Sequence, residues 1–177
     1  MAAPFSRSDL VELFTDLGER LGRNGVRANV YIVGGAAMAL LYDDRRVTRD
    51  IDSVILDGHG ALTDAVREIA RERGLPSSWL NEQASAYVSM QPDVRQTRVF
   101  DHPNLGVAAA SPRHLLAMKL VAARPTDVDD IRILLKVLGV HSVAEAEAVL
   151  AEVFPDAVLK RQAHLVLEDI LAADPTS

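Results

Sequence analysis

Apolar residues recur at helical spacing from the start of the chain. Leu10, Leu13, Phe14, Leu17 and Leu21 define an amphipathic helix that Ser8 caps and the Gly22 to Gly25 stretch ends. The period then shortens: Val30, Tyr31, Ile32 and Val33 read as a buried strand, Gly34 and Gly35 turn the chain, and Ala36 to Leu41 read as a helix. Asp50 to Leu56 carries enough β-branched residues for a second strand, and Leu62, Val66, Ile69 and Ala70 predict another helix, stopped by Gly74 and Pro76. Short strands are expected near Ala86 to Met90, Arg95 to Phe100 and Leu105 to Ala109, the last two joined by a hairpin turn through Asp101, His102, Pro103 and Asn104.

From Ser111 onward the pattern is helical only. Ser111 suits an N-cap with Pro112 at the first helical position, Thr126 or Asp127 caps the next helix, and Gly139 closes it. Two further helices are expected over Ser142 to Val153 and Pro155 to Ala172, with a loose tail from Asp174 to Ser177. These elements predict an α+β fold. Residues 1–110 form a small mixed β-sheet flanked by helices, and residues 111–177 form a C-terminal helical subdomain packed on that core.

Composition narrows the picture. The 177 residues are 49% hydrophobic and 25% charged, enough for a real core, and the absence of cysteine excludes a disulfide framework and a cysteine-based zinc site. No apolar run has the length of a transmembrane helix, and MAAPFSRSDL lacks the basic start and apolar stretch of a signal peptide, so a cytoplasmic protein without membrane attachment is expected. A net charge of −6 argues against broad nucleic-acid binding through a basic surface. Arg45, Arg46 and Arg49, and farther on Arg95 and Arg98, are local positive clusters, either solvated loops or patches for an RNA backbone.

Two short stretches carry candidate chemistry. Gly34 and Gly35 between a strand and a helix are either plain turn residues or a phosphate cradle, because a helix start offers free N–H groups and glycine lets a phosphate approach the main chain. Strand alternation would put Asp50 and Asp52 on one face with their Cα atoms about 7 Å apart, where repulsion is on the order of 2 kcal/mol unless a cation lies between them. Mg²⁺ is the natural cation for carboxylate and phosphate oxygens; the other reading is a solvated strand end.

Lys119 lies in the apolar run Leu115 to Ala123, so its ammonium needs an anion, a protein carboxylate or a ligand triphosphate, unless its stem carries the charge out to water. Triphosphate is the anion expected. Asp127, Asp129 and Asp130 crowd a helix start, where capping accounts for one or two of them, and Asp127 and Asp130 share a face. Neither Asp93, before a strand, nor Asp101, in the hairpin turn, is placed to add a third carboxylate to the pair. His59, His102, His114, His141 and His164 show no zinc spacing, and no serine-histidine-aspartate set stands out.

Gly34-Gly35, a short helix and then Arg49-Asp50-Ile51-Asp52 together resemble the signature of the polymerase-β-like nucleotidyltransferase superfamily. Ser111 to Leu120 with Arg124, Asp127 and Asp130 is similar to the lysine and aspartate motifs of AbiEii/MenT-type nucleotidyltransferase-like toxins, and Trp79-Leu80-Asn81-Glu82 to a feature of small members. The resemblance implies a Mg²⁺-dependent enzyme that moves a nucleoside monophosphate from an NTP to an acceptor hydroxyl. It implies that Asp50 and Asp52 bind metal, Gly34, Gly35, Arg49 and Lys119 bind the nucleotide, and Lys119 and Asp127 join the Asp pair in catalysis. An RNA acceptor such as a tRNA 3′ end, and a toxin role with a cognate antitoxin, follow from the same resemblance. The alternatives are a non-catalytic nucleotide- or partner-binding module, and a transferase acting on protein or a small molecule.

Overall fold

The computed structural model describes residues 3–173. Contacts divide them into two units, one running to Ala86 and resuming over Arg95–Ala110, the other made of Tyr87–Val94 and the chain from Ser111 on.

The first unit opens with α1 (Arg7–Arg23). Its cap is Ser6 rather than Ser8, because Ser6 and Asp9 bond reciprocally: the Asp9 N–H donates to Ser6 Oγ at 3.3 Å and the Ser6 N–H to Asp9 Oδ2 at 2.8 Å. Next come β1 (Ala28–Ile32), α2 (Gly34–Leu41), β2 (Ile51–Asp57), α3 (His59–Arg73), the two-residue β3 (Leu80–Asn81), β4 (Thr97–His102) and β5 (Leu105–Ala109). The five strands form one mixed sheet in the order β3-β2-β1-β5-β4. β1 runs antiparallel to β2 and parallel to β5, and the β4–β5 hairpin turns through Pro103 and Asn104 alone, because Asp101 and His102 of the expected four-residue turn pair with Gly106 and Leu105 as the end of β4.

Residues 86–90 form no strand. A 3-10 turn over Gln83–Tyr87 leads into an irregular segment that belongs to the second unit, where the Ser89 hydroxyl donates to the Val153 carbonyl, so these residues serve anchoring rather than a ladder. The short β3 had no signature at two residues.

Register assigns the sheet two faces. Val30, Ile32, Ile51, Leu105, Val107 and Ala109 are buried on the helix-covered face, where Phe14 of α1 meets Phe100 with ring centroids 5.7 Å apart. Asn29, Asp52, Val54 and Ala108 point to the other face and are only half-buried. A second layer of order comes from Trp79, fully buried, whose Nε1 donates to the Val66 carbonyl at 3.0 Å.

The second unit consists of α4 (Pro112–Ala122), α5 (Val128–Leu138), α6 (Val143–Val153) and α7 (Arg161–Ala173). Ser111 caps α4 with Pro112 in the first turn, Ser142 caps α6, and Gly139 ends α5 at φ +63°. The last helix starts at Arg161, not near Pro155: residues 155–160 are a turn and extended chain in which Lys160 donates to the Val121 carbonyl at 2.8 Å. The expected tail from Asp174 lies outside the described residues. Among the described residues, no helix is long and apolar enough to cross a membrane.

Candidate functional site

The glycine pair lies inside α2 rather than before it. Val33 is the N-cap, in extended conformation and without a side-chain capping bond, so the first-turn N–H groups at Gly34, Gly35 and Ala36 have no side chain of the N-cap to serve. Gly34 holds φ +62°, a left-handed geometry that favours glycine, and a Cβ there would stand 3.2 Å from Asp52 Oδ2. At Gly35 a Cβ would stand 2.7 Å from Thr48 Oγ1. The ladder accounts for this proximity: the Val33 N–H donates to the Asp52 carbonyl at 3.0 Å, and Ile32 faces Ser53.

Asp52 is half-buried on β2, whereas Asp50 is exposed in the bend one residue before it. The expected strand therefore starts one residue later. Thr48 is the reason: it bridges to Phe5, its hydroxyl donates to the Asp50 carbonyl at 2.9 Å, and pairing with β3 begins only where Ile51 faces Leu80. Arg49 is exposed in the same bend. A carboxylate beside a helix N-terminus has a definite electrostatic consequence. A phosphate drawn to the free N–H groups meets the charge of Asp52, and a cation between them removes the repulsion.

Among the described residues, no group of three or more His, Cys, Asp or Glu side chains is arranged to hold a metal ion. Asp52 beside the start of α2 nonetheless fits Mg²⁺, which keeps several waters and is bound through one or two carboxylates plus substrate phosphates.

In the second unit the structure joins Lys119 to Asp127 and Asp130. Lys119 Nζ is 2.7 Å from Asp127 Oδ1 and 2.6 Å from Asp130 Oδ2, and all three side chains are buried, Asp130 completely. Asp127 sits at the N-cap position of α5 but makes no capping bond, because its carboxylate turns to the ammonium. Protein carboxylates thus hold the Lys119 charge in this structure. Asp130 enters as a full partner; its i, i+3 spacing from Asp127 was the signal for it.

A serine, a histidine and an aspartate also meet in the second unit, although sequence spacing showed no such set. Asp93 Oδ2 accepts the Ser111 N–H at 2.7 Å, and His114 Nδ1 lies 3.3 Å from both Asp93 Oδ1 and Ser111 Oγ. A nucleophilic relay needs serine and aspartate on opposite ring nitrogens. Here both crowd Nδ1 while Nε2 faces the Gln91 carbonyl at 3.3 Å, so the cluster fastens the 87–94 segment to the start of α4.

Glu82, which sequence reading left without a role of its own, fastens the edge of β2. Its Oε1 accepts the Ile55 N–H at 3.0 Å and its Oε2 lies 2.8 Å from His59 Nε2. The backbone bond from Ile55, aided by His59, holds its carboxyl below the ordinary glutamate range against the opposing effect of burial.

Comparison with known proteins supplies one decisive match. Residues 8–162 match the family described as "Nucleotidyltransferase of unknown function (DUF6036)". No curated protein matches the chain. Among solved structures, an antigenic nucleotidyltransferase-like protein from Paracoccidioides brasiliensis is similar at 15% identity, covering 98% of this chain and 92% of that one with a TM-score of 0.42.

Proposed function

We propose, from the premise that the chain belongs to the DUF6036 nucleotidyltransferase family, that it transfers a nucleoside monophosphate from an NTP to an acceptor hydroxyl. The observation that carries this reading is the contact between the Gly34 turn and Asp52 at the start of α2. In the reaction the acceptor oxygen bonds to the α-phosphorus, the bond to the bridging oxygen breaks, pyrophosphate leaves, and the hydroxyl proton passes to a base or water. Asp50 and Asp52 would hold Mg²⁺, which supplies charge neutralisation and activation at the triphosphate. The N–H groups of Gly34 and Gly35 take phosphate oxygens at the positive end of the helix dipole, and exposed Arg49 adds a cation beside them.

Lys119 and Asp127 enter through the motif resemblance, as a pair supporting the triphosphate and the acceptor. In this structure the Lys119 ammonium is already bonded to Asp127 and Asp130, so the role the resemblance gives it starts from a paired charge. An RNA hydroxyl as acceptor and a toxin role with a cognate antitoxin rest on the same two motif blocks, and a cytoplasmic setting on the lack of a signal-peptide or transmembrane pattern in the sequence.

Purified protein given each labelled NTP, Mg²⁺ and total RNA is expected to label RNA, and Asp52→Ala to abolish labelling. Labelling that survives this change sinks the reading, and tight NTP binding without transfer to RNA, protein or small-molecule acceptors makes the chain a binding module instead.

A further inference from the structure

We propose that a polar group at the far end of the half-buried sheet face reads the base of the bound nucleotide as guanine. This rests on the nucleotidyl-transfer reading and deepens it. Asp52 is level with Val33, the residue just after β1, and Asp57 is level with Asn29, four residues earlier in the chain. At a strand rise near 3.3 Å the two levels lie about 13 Å apart, the reach of a nucleotide from its triphosphate to its base. The strand register puts both aspartates on one face, since Asn29 and Tyr31 share it and the bulge between Asn29 and Val30 brings Asp57 round to bond Asn29.

An open cavity at this end is lined by Asn29, Leu56, Asp57, Arg98, Gly106 and Ala108. Gly106 and Ala108 make a floor without bulk. A Cβ at Gly106 would overlap Arg98 Nη1 and Asn29 Oδ1, so only glycine lets the guanidinium lie against the sheet. Leu56, exposed, supplies an apolar edge for a ring.

The donors and acceptors are complementary in kind. Asp57 offers acceptors only, with one oxygen taking Asn29 Nδ2 at 2.8 Å and the rest of its carboxylate free to accept more; Arg98 offers donors only and is half-exposed. A carboxylate beside a guanidinium suits a flat group that presents adjacent N–H donors and, next to them, acceptors. Among the four bases only guanine does this, with N1–H and N2–H₂ for the carboxylate and O6 with N7 for the guanidinium.

Binding is the readout that separates this inference from the transfer reading. Titrating the full chain in Mg²⁺ with GTP, ATP, CTP and UTP, without acceptor, should give GTP an affinity advantage of about tenfold. Asp57→Asn, which removes the charge and turns one of the two acceptor oxygens into a donor, and Arg98→Ala, at an exposed position, should each bring the four to near parity. Equal affinities in the unmodified protein, a preference for another base, or a GTP preference that survives both changes would overturn base reading and leave nucleotidyl transfer standing. Failure to bind any NTP would overturn both.

Discussion

Asp52 Oδ2 lies 3.2 Å from the point that a Cβ on Gly34 would occupy, and Gly34 itself holds φ +62°. The turn and the carboxylate are therefore one construction: the chain can bend left-handed into α2 only because glycine stands there, and the space glycine leaves is the space beside Asp52. Gly34→Ala is expected to lose about 1–2 kcal/mol of stability from the left-handed backbone alone. It should also displace Asp52, so Mg²⁺-dependent NTP binding falls by more than the melting temperature accounts for. Urea denaturation and NTP titration on the same variant check this; a destabilised variant with unchanged binding would detach the turn from the site.

Lys119 bonded to two buried carboxylates leads to a second expectation. Lys119→Met leaves Asp127 and Asp130 without their cation and should cost about 3–5 kcal/mol, the usual result of removing one partner from a buried ion pair. Replacing both aspartates by asparagine in the Lys119→Met background removes the stranded charge and should recover part of that loss. Denaturant midpoints of the two variants decide it, and a Lys119→Met protein as stable as the original would mean the pairs contribute nothing.

The elements with long periodic signals were legible in the sequence: α1, α3, the Ser111 cap of α4 and the Gly139 end of α5 follow from spacing and punctuation. What escaped were features decided by partners distant in the chain. Asp50 falls outside β2 because Thr48, held by its bridge to Phe5, binds its carbonyl, and residues 86–90 avoid the sheet because Ser89 reaches the Val153 carbonyl. The Gly34–Asp52 contact could be anticipated as two motifs, but not as a distance. Arg98 stood out only as half of a positive cluster with Arg95; its meeting with Asn29 and Asp57 left no signal, since a strand register brings them together and no local spacing records that.

Glu82 predicts a pH dependence. Its folded carboxyl is held below the ordinary value, first by the Ile55 N–H and then by His59, against the opposing effect of burial. A depressed carboxylate adds stability that is fully present above its unfolded value, near 4.3, and is lost as pH falls through the folded value. Glu82→Gln keeps an acceptor for Ile55 but does not titrate, so the gap between the two proteins in denaturant midpoint should be present at neutral pH and close in acid. A gap independent of pH would show that the carboxylate charge is not what secures the edge of β2.

Asp93 makes the last prediction, about the segment it fastens. Ser89, Gln91 and Asp93 bind inward, to the Val153 carbonyl, to His114 and to the Ser111 N–H, while Met90 and Val94 between and beyond them are almost wholly exposed. Such a segment depends on its anchors, because Met90 and Val94 bury almost nothing. Asp93→Ala removes the acceptor for the Ser111 N–H and one partner of His114 Nδ1, at a cost of about 1–3 kcal/mol for the buried groups left behind. The loss should be local as well as global: limited proteolysis should cut within 87–94 faster than in the unmodified protein, and amide exchange at Ser111 should rise before that of the middle of α4. Slow cleavage at 87–94 in an otherwise destabilised variant would show that Ser89 and Gln91 hold the segment down without Asp93.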